Sequence, residues 1–371
     1  MKKNIIKKSI LFIIIIMGVF NILSCSKTTN ASQSEENKFD IKKAESVIDN
    51  YMRSMISEDQ SAMNKLLTTQ LLKTLKTIEK SSIKVKGYKM DETTEVGDTG
   101  VFKVKVTSTS LKDSKSSIDN YVFKVVIENS NYKIGEVKTV LEKECYYENY
   151  GLRIRNKSAV ESQLLIDSDG IPQFGFAKED KSKALKLELP RTNFQNITFD
   201  YSGDNLAISI VEKIAFIGIV KIANDAMETA AGQGGEDQSG GGDKKELPGQ
   251  GKKNMSPREK PVGKELTTLD ALKDCKVDFM VFSPDEKFLL VQYTNKDTRK
   301  CLRVYDADKG DLISFKFEDN FNVDNLDIKY AYFGKETLHF EVIPKEDKKE
   351  LEKQVAGLWQ LDLKKFKAKK V

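Results

Sequence analysis

The side chains that most often carry chemistry are few in this chain of 371 residues. His339 is the only histidine, and the only cysteines are Cys25, Cys145, Cys275 and Cys301, with no Cys-x-x-Cys pair. A structural zinc site takes four nitrogen or sulfur ligands, and an α/β-hydrolase needs a Gly-x-Ser-x-Gly turn, which this sequence lacks. We therefore expect no metal site, no cofactor and no catalytic set of residues.

The three cysteines after Cys25 are not expected to form a full disulfide framework, since three is an odd number. Cys275 and Cys301 stand near the starts of two predicted strands with a third strand between them. Such strands lie roughly 10 Å apart, too far for a disulfide. We predict free thiols.

Cys25 has a different setting. The first ten residues, "MKKNIIKKSI", carry four lysines and no acid, and the apolar run "LFIIIIMGVF" follows. This run is shorter than the roughly 20 residues of a membrane-spanning helix, and the pattern is typical of a secretory signal peptide.

The seam "NILSC", with Ser24 before Cys25, resembles the bacterial lipobox, although Ile22 stands where that motif prefers leucine. The resemblance implies that residues 1–24 are a lipoprotein signal peptide and that Cys25 is acylated, anchoring the chain on the outer face of the cell membrane. The alternative is an ordinary signal peptide or an uncleaved anchor. The polar residues 25–39 are predicted to be a disordered tether.

The formal net charge of the whole chain is +5. Because four lysines leave with the leader, the mature chain carries about +1, with both signs interspersed. Such a balance argues against nucleic-acid binding.

Residues 40–142 change period along their length. "DIKKAESVIDNYMRSMISED" and "QSAMNKLLTTQLLKTLKTIEK" have the apolar spacing of two amphipathic helices, with Asp40 as an N-cap. Alternating segments follow, joined by Gly, Asn and Asp turns, and Gly87 inside the first of them predicts a bulge. We expect an α+β domain with helices on a curved antiparallel sheet.

The segments "VIDNYMRSMISEDQSAMNKLL" and "YVFKVVIENSNYKIGEVKTV" resemble the helices and last hairpin of nuclear-transport-factor-2-like domains. That resemblance implies a cone-shaped sheet with a pocket, for which Tyr51, Tyr88 and Asp59 are the candidates. Asp49 is a further acid nearby, but an Asp between two helices is usually a cap.

Residues 150–371 are predicted to be all β. A strand–turn–strand unit recurs as "NITFDYSGDNLAISIVE", "DFMVFSPDEKFLLVQYT" and "YAYFGKETLHFEVI". Their spacing and the phrase "FSPDEKFLLV…LRVYDADKGDLI" resemble TolB-like and WD-repeat propeller blades. The turn residues implied are Ser283, Pro284, Asp285, Asp306 and Gly310.

Only three to three and a half blades are recognisable, whereas propellers usually need four or more. Either residues 150–195 hold diverged blades or the sheets stack without closing, and a β-sandwich is the alternative. "ESQLLIDSDGIPQFGFA" is expected to be a hairpin about Asp169–Gly170. Residues 211–231 fit a strand or a helix, and residues 232–263 are predicted to be a disordered linker.

Together these features favour a non-enzymatic binding or scaffold lipoprotein of the cell envelope, with protein or glycan partners. The alternative is a small-molecule sensor or enzyme that uses the cone-shaped pocket beside Tyr51 and Tyr88. A third hypothesis is a simple spacer that gives reach from the membrane.

Overall fold

The computed structural model describes residues 39–74, 82–110, 112–223, 259–350 and 352–371. Asp40–Val371 forms one unit, built mostly of antiparallel strands. The predicted signal peptide, the tether up to residue 38 and most of the linker lie outside the described residues. Phe39, the last tether residue, is buried. None of the helices in the described ranges is long and apolar enough to cross a membrane.

Helix α1, Ile41–Ile56, forms where the apolar spacing predicted it. The carboxylate of Asp40 accepts hydrogen bonds from the backbone N–H groups of Lys42 (3.0 Å) and Lys43 (3.2 Å), which caps the helix. Its buried residues recur every three or four positions and are Ala44, Ile48, Tyr51, Met52 and Ile56. This face packs on the first four strands of the chain.

The second predicted helix is divided, so the expectation of one continuous helix is wrong over the described residues. Helix α2, Gln60–Lys65, and helix α3, Thr69–Thr74, are separated by a short extended stretch. The N–H of Thr68 donates to the carbonyl of Ile134 (2.9 Å), and the N–H of Ile134 donates to the carbonyl of Leu66 (2.8 Å). Because these backbone groups are bonded to a strand, they cannot continue a helix.

A six-stranded sheet follows, in which each strand pairs antiparallel with the next along the chain. Its strands are β1 Ile83–Val96, β2 Thr99–Ser110, β3 Lys115–Glu128, β4 Asn131–Glu148, β5 Gly151–Asn156 and β6 Gln163–Asp167. The predicted domain boundary at residue 142 lies within β4, and the sheet continues beyond it. Asn149 (φ 50°) and Tyr150 (φ 65°) make a tight turn that returns the chain to pair with β4.

Three smaller antiparallel sheets come next, each with its strands in chain order. The first contains β9 Phe194–Phe199, β10 Asn205–Val211, β11 Ile214–Ile222 and β12 Gly263–Lys273. The second contains β13 Lys276–Phe282, β14 Phe288–Thr294 and β15 Lys300–Asp306. The third contains β16 Leu326–Phe333, β17 Thr337–Pro344, β18 Gly357–Asp362 and β19 Lys367–Lys370. The three repeated sequence units are the first hairpins of these sheets, as predicted.

The second small sheet also has a rudimentary fourth strand. The N–H of Ile313 donates to the carbonyl of Val304 (3.1 Å), and the N–H of Asp306 donates to the carbonyl of Asp311 (2.7 Å). The chain then forms the short helix α4, Phe317–Asn320. All three small sheets therefore have the up-and-down strand order of a propeller blade.

Residues 150–195 do not form a further blade. Strands β5 and β6 belong to the six-stranded sheet, and Asp169–Gly170 lies in a 3₁₀ turn, not in a hairpin. The short strand β7, Phe174–Gly175, pairs with β8, Leu187–Glu188, so the predicted hairpin is wrong. The Asp169–Gly170 pair is a typical turn sequence, but β6 pairs with β5 and not with the strand that follows the turn.

The ambiguous segment after residue 211 is a strand over Ile214–Ile222, since it pairs on both sides within the first small sheet. The predicted linker ends earlier than residue 263. The N–H of Val262 donates to the carbonyl of Leu164 (2.9 Å), and Glu259 pairs with Arg153 (2.8 Å), which orders the segment before β12.

The first strand of each small sheet lies where that sheet contacts the others. Strand β9 lies against β13, and β16 lies against β15. Strand β1 contacts both β13 and β16, whereas β2 and β3 contact β9. The six-stranded sheet, not additional small sheets, therefore covers the first strands of the three blades.

Candidate functional site

The structure gives each predicted pocket residue a structural partner. Tyr51 is 5% exposed and packs edge-to-face on Phe123, with ring centroids 5.6 Å apart. Burial raises the pKa of Tyr51 to about 12. The carboxylate of Asp59 accepts from the N–H of Ala62 (2.9 Å) and caps helix α2. Tyr51 is thus a core residue and Asp59 a helix cap.

Tyr88 is also buried, but its hydroxyl takes part in a polar cluster. It donates to Asp49 Oδ1 (3.0 Å), while Asp49 Oδ2 accepts from Arg53 Nη2 (3.0 Å). Burial, with the charge of Asp49, raises the pKa of Tyr88 above its usual range. The fold therefore brings Tyr88 and Asp49 into contact, although their spacing in the sequence did not indicate it.

This cluster continues to the last sheet. The guanidinium of Arg53 lies 4.2 Å from the ring centroid of Tyr332, and Tyr332 stacks on His339 with centroids 4.3 Å apart. His339 Nε2 lies 3.3 Å from the Thr337 hydroxyl. Burial, and then the charge of Arg53, lowers the pKa of His339 from 6.5 to about 4. Through Arg53 and Tyr332, helix α1 contacts β16.

The predicted turn residues stabilise the hairpin between β13 and β14. The hydroxyl of Ser283 donates to Asp285 Oδ1 (2.7 Å) and accepts from the N–H of Phe288 (3.0 Å). Pro284 lies between them in the turn, and Glu286 next in the chain has a positive φ of 63°. Glu286 pairs with Lys89 of β1 (2.9 Å), so this turn also attaches the second small sheet to the six-stranded sheet.

Asp306 and Gly310 close the next turn. The carboxylate of Asp306 accepts from the N–H groups of Asp308 (3.1 Å) and Lys309 (2.8 Å), and Gly310 has a φ of 71°. Asp362 does the same in the third small sheet, accepting from the two N–H groups at positions 364 and 365, each at 2.9 Å. The repeat in the sequence thus reflects an equivalent turn in the two sheets.

The most unusual place in the described structure is where β1 meets the first strands of the small sheets. The pairing of β1 with β2 shifts between Val85 and Gly87, so Lys86 is the extra residue of a bulge, as the glycine predicted. At Gly87 a Cβ atom would lie 2.2 Å from the hydroxyl of Tyr201 and 2.8 Å from a methyl of Val281. Only glycine allows this approach.

Two tyrosine hydroxyls, one buried (Tyr201) and one partly buried (Tyr330), connect the strands here. The hydroxyl of Tyr201 donates to the carbonyl of Phe282 (3.3 Å). The hydroxyl of Tyr330 donates to the carbonyl of Lys86 (3.0 Å) and accepts from the N–H of Phe333 (3.2 Å). Strands β13 and β16 have their own register shifts nearby, between residues 277 and 279 and between residues 330 and 332. Bulges of this kind redirect side chains.

The side chain of Lys86 extends over the second small sheet. Its Nζ lies 4.7 Å from the ring centroid of Phe279, which contacts Tyr330 edge-to-face at 5.7 Å. Lys86 is half-buried, and burial lowers the pKa of its ammonium group. The nearby Glu58 is bonded to Lys84 (2.6 Å).

A second charged network lies between the outer strands. Asp270 is fully buried and accepts from Arg303 Nη1 (2.8 Å), the Tyr305 hydroxyl (2.7 Å) and the N–H of Lys178 (2.8 Å). Arg303 also pairs with two further acids, Glu179 and Glu318. Because the buried carboxylate has these donors, the network ties β12 to β15.

The thiols are free, as predicted. Cys145 is fully buried, and burial raises the pKa of its thiol above its usual range. Burial raises the pKa of both Cys275 and Cys301 to about 11. Cys25 lies outside the described residues. Within the described ranges, no group of three or more His, Cys, Asp or Glu side chains could hold a metal ion.

Sequence reasoning missed Lys86, Arg53, Asp270 and Arg303. Gly87 in an alternating strand was a signal for the first of these, since a strand glycine marks a bulge or a close backbone approach. The other three look like ordinary surface charges in the sequence, because nothing local distinguishes a buried ion pair from a solvated one.

No protein family matches the sequence, and no curated protein matches it. Solved structures similar to the chain include the β-propeller domain of Cps50 (Swd1) from Myceliophteria thermophila, at 8% identity over 71% of this chain and 68% of that chain, with a TM-score of 0.23. Sqt1 from Chaetomium thermophilum is 11% identical over 77% of this chain and 70% of that chain, with a TM-score of 0.28. A puromycin-hydrolyzing peptidase of Mycobacterium tuberculosis is 8% identical over 76% of this chain and 52% of that chain, with a TM-score of 0.19. The blade-like description of the small sheets depends on their own strand order.

Proposed function

We propose that this chain is a lipoprotein of the bacterial cell envelope, held by acyl chains on Cys25, and that it binds envelope proteins or glycans without catalysing a reaction. The basic start, the short apolar run and the Ser24–Cys25 seam support the anchor. Tyr51 and Tyr88 are buried and Asp59 is bonded as a helix cap, which supports a role other than acid–base chemistry at the expected cone.

The observation that carries the binding role is the joining of four sheets by buried side-chain-to-backbone hydrogen bonds. Besides the two tyrosine contacts, Asn196 Nδ2 of β9 donates to the carbonyl of Val277 of β13 (2.7 Å), and Thr109 Oγ1 of β2 donates to the carbonyl of Ile197 of β9 (2.8 Å). Such bonds hold sheets in one arrangement, because breaking one leaves a buried polar group unpaired. A rigid body of this kind presents its loops in fixed positions, which is what a recognition surface needs.

One such loop has the side chain for it. Tyr150 stands at the tip of the β4–β5 turn and is 81% exposed. Tyrosine is enriched at protein interfaces because it offers a large rigid surface with a polar end. We assign this tip to the partner-binding face.

The anchor is tested by mass spectrometry of the protein purified from bacterial membranes. We expect the mature chain to begin at an acylated Cys25 and to enter the detergent phase on phase separation, whereas the Cys25→Ala variant should stay in the aqueous phase. The Cys145→Ala variant is the control and should partition like the parent. A mature N-terminus at any other residue contradicts the anchor.

The binding role is tested separately by photo-crosslinking in intact cells from a reactive amino acid placed at Tyr150. We expect one or a few defined envelope products, and no such product from the same probe at Lys348, on a different loop. Identical patterns from the two positions contradict a partner-binding face at Tyr150.

A small-molecule sensor is the second candidate function, and one observation favours it. Lys86 has a half-buried ammonium group beside an aromatic ring, where a ligand with a negative charge would be held. The site differs from the cone pocket expected from the sequence, whose residue Tyr51 packs on Phe123.

A further inference from the structure

The charge of Lys86 has no counter-ion in the described structure. Its ammonium makes no ion pair within 4 Å and no hydrogen bond with any described residue, and its one polar contact is the face of Phe279. Glu58 is the carboxylate whose charge acts on Lys86, but it is already paired with Lys84 at 2.6 Å. Because Lys86 is half-buried, its ammonium is partly removed from water, and none of the described carboxylates compensates for that loss.

The position of Lys86 is imposed by the fold. It is the bulged residue of β1, its carbonyl is held by the Tyr330 hydroxyl, and the next residue, Gly87, is pressed against Tyr201. These contacts fix the backbone at Lys86 and so the direction in which its side chain leaves β1. The bulge directs the side chain toward β13, where the ring of Phe279 supports it.

The ammonium has three N–H donors. An aromatic face attracts the charge as a whole but accepts no full hydrogen bond, so most of this donor capacity is unused. Lys84 stands two residues away, but its charge is paired with Glu58 at 2.6 Å, so Lys86 carries the unpaired positive charge of this segment. The local surroundings therefore favour a negatively charged oxygen.

We propose that Lys86 is the anchor of an anion-binding site that takes a carboxylate or phosphate group of a ligand. The oxyanion accepts from the ammonium on the side away from Phe279, and it restores the charge pairing that the folded chain lacks. This inference rests on the second candidate function, the small-molecule sensor, and names the chemical class of its ligand.

The experiment is calorimetric titration of the purified full chain in detergent with inorganic phosphate, and separately with acetate, at constant ionic strength. A matched pair of variants is compared: Lys86→Met, which keeps the contact with Phe279 but not the charge, and Lys84→Met, whose ammonium already has Glu58 as partner. A charge-assisted hydrogen bond corresponds to roughly ten- to hundredfold in affinity. We expect Lys86→Met to lose at least that lower factor and Lys84→Met to bind like the parent.

A second measurement covers the case in which Lys86→Met does not fold. Acetylation of the parent chain by acetic anhydride is followed at each lysine by mass spectrometry, with and without phosphate. We expect phosphate to slow the acetylation of Lys86 and to leave that of Lys84 unchanged.

Equal affinity in all three proteins, no binding by the parent, or equal protection of the two lysines overturns the proposal. Binding of phosphate but not acetate identifies phosphate as the ligand group, and the reverse result identifies a carboxylate. Because only purified chain is used, these outcomes are independent of the anchor and crosslinking tests of the proposed function.

Discussion

Replacing Gly87 with alanine tests whether the first sheet is pressed against the small sheets as the structure has it. The new Cβ would lie 2.2 Å from Tyr201 Oη and 2.8 Å from Val281 Cγ2, where ordinary contacts are 3.4 Å or longer. Tyr201 is only 1% exposed, so its ring has no free space to enter. The strands must separate or the tyrosine hydroxyl must leave its hydrogen bond.

The cost follows from these contacts. Overpacking of a well-filled core costs about 1–3 kcal/mol, and loss of the Tyr201 hydrogen bond leaves the buried carbonyl of Phe282 without this donor, at about 1–3 kcal/mol. The better strand propensity of alanine returns about 0.5–1 kcal/mol. We therefore expect Gly87→Ala to lower the free energy of unfolding by about 2–4 kcal/mol.

A double-mutant cycle identifies the cause. Tyr201→Phe removes the hydroxyl and should cost about 1 kcal/mol on its own. In the Gly87→Ala/Tyr201→Phe double variant the closest contact is gone. The loss of unfolding free energy in the double variant should therefore be about 1–2 kcal/mol smaller than the sum of the two single losses. Gly135→Ala, with a nearest neighbour at 3.3 Å, is the control in the same sheet and should change stability by less than about 1 kcal/mol.

The assay is denaturant unfolding followed by the fluorescence of Trp359, the only tryptophan in the chain. This residue lies in β18, so a shift caused at Gly87 also reports that the first sheet and the last sheet unfold together. If Gly87→Ala and Gly135→Ala unfold at the same denaturant concentration, or if the cycle shows no coupling, the close packing at Gly87 is wrong.

Three further predictions concern titration, charge and reactivity. The pKa of His339 falls from 6.5 to about 4 on folding, so as the pH is lowered the unfolded chain binds the proton before the folded chain does. The free energy of unfolding should therefore fall by about 1–2 kcal/mol, allowing for partial exposure, as the pH is lowered from 6.5 to about 4. Chemical denaturation across this window should show a smaller drop for His339→Gln, and an identical slope contradicts the buried neutral ring. Asp270→Ala should cost about 3–5 kcal/mol, because it leaves buried donors unpaired. Glu179→Ala, which removes a more exposed partner of the same arginine, should cost about 0–1 kcal/mol, and equal losses in thermal unfolding contradict the assignment. A thiol reagent should modify Cys275 before Cys145 in the native chain, since Cys275 is partly exposed and Cys145 is not; the rate at Cys275 should still rise as pH approaches its raised pKa of about 11. Modification of Cys145 at the same rate contradicts its burial.

Much of the local structure could be predicted from the sequence because short-range rules set it. The spacing of Ala44, Ile48, Tyr51 and Met52 determines which face of helix α1 is buried, and Asp40 caps it. The recurring strand–turn–strand units determine three hairpins, and Gly87 marks a bulge. These features depend on residues that are neighbours in the chain.

The errors have a common physical origin. Helix α2 stops at Lys65 because the backbone beyond it bonds to Ile134, almost 70 positions away. The turn at Asp169–Gly170 does not make a hairpin because β6 already pairs with β5. In each case a long-range backbone hydrogen bond outweighed a correct local preference.

By itself the sequence determined the change from helical to strand period, the three repeated hairpins and the presence of a single histidine, and it predicted the leader and the Cys25 seam. Only the tertiary structure decided which charges are buried or lack a counter-ion. Asp270 and Arg303 are 33 positions apart, and Lys86 and Phe279 are brought together from different sheets. The free energy of a charged group depends on how much water and which partners surround it, and those surroundings exist only after distant strands have packed.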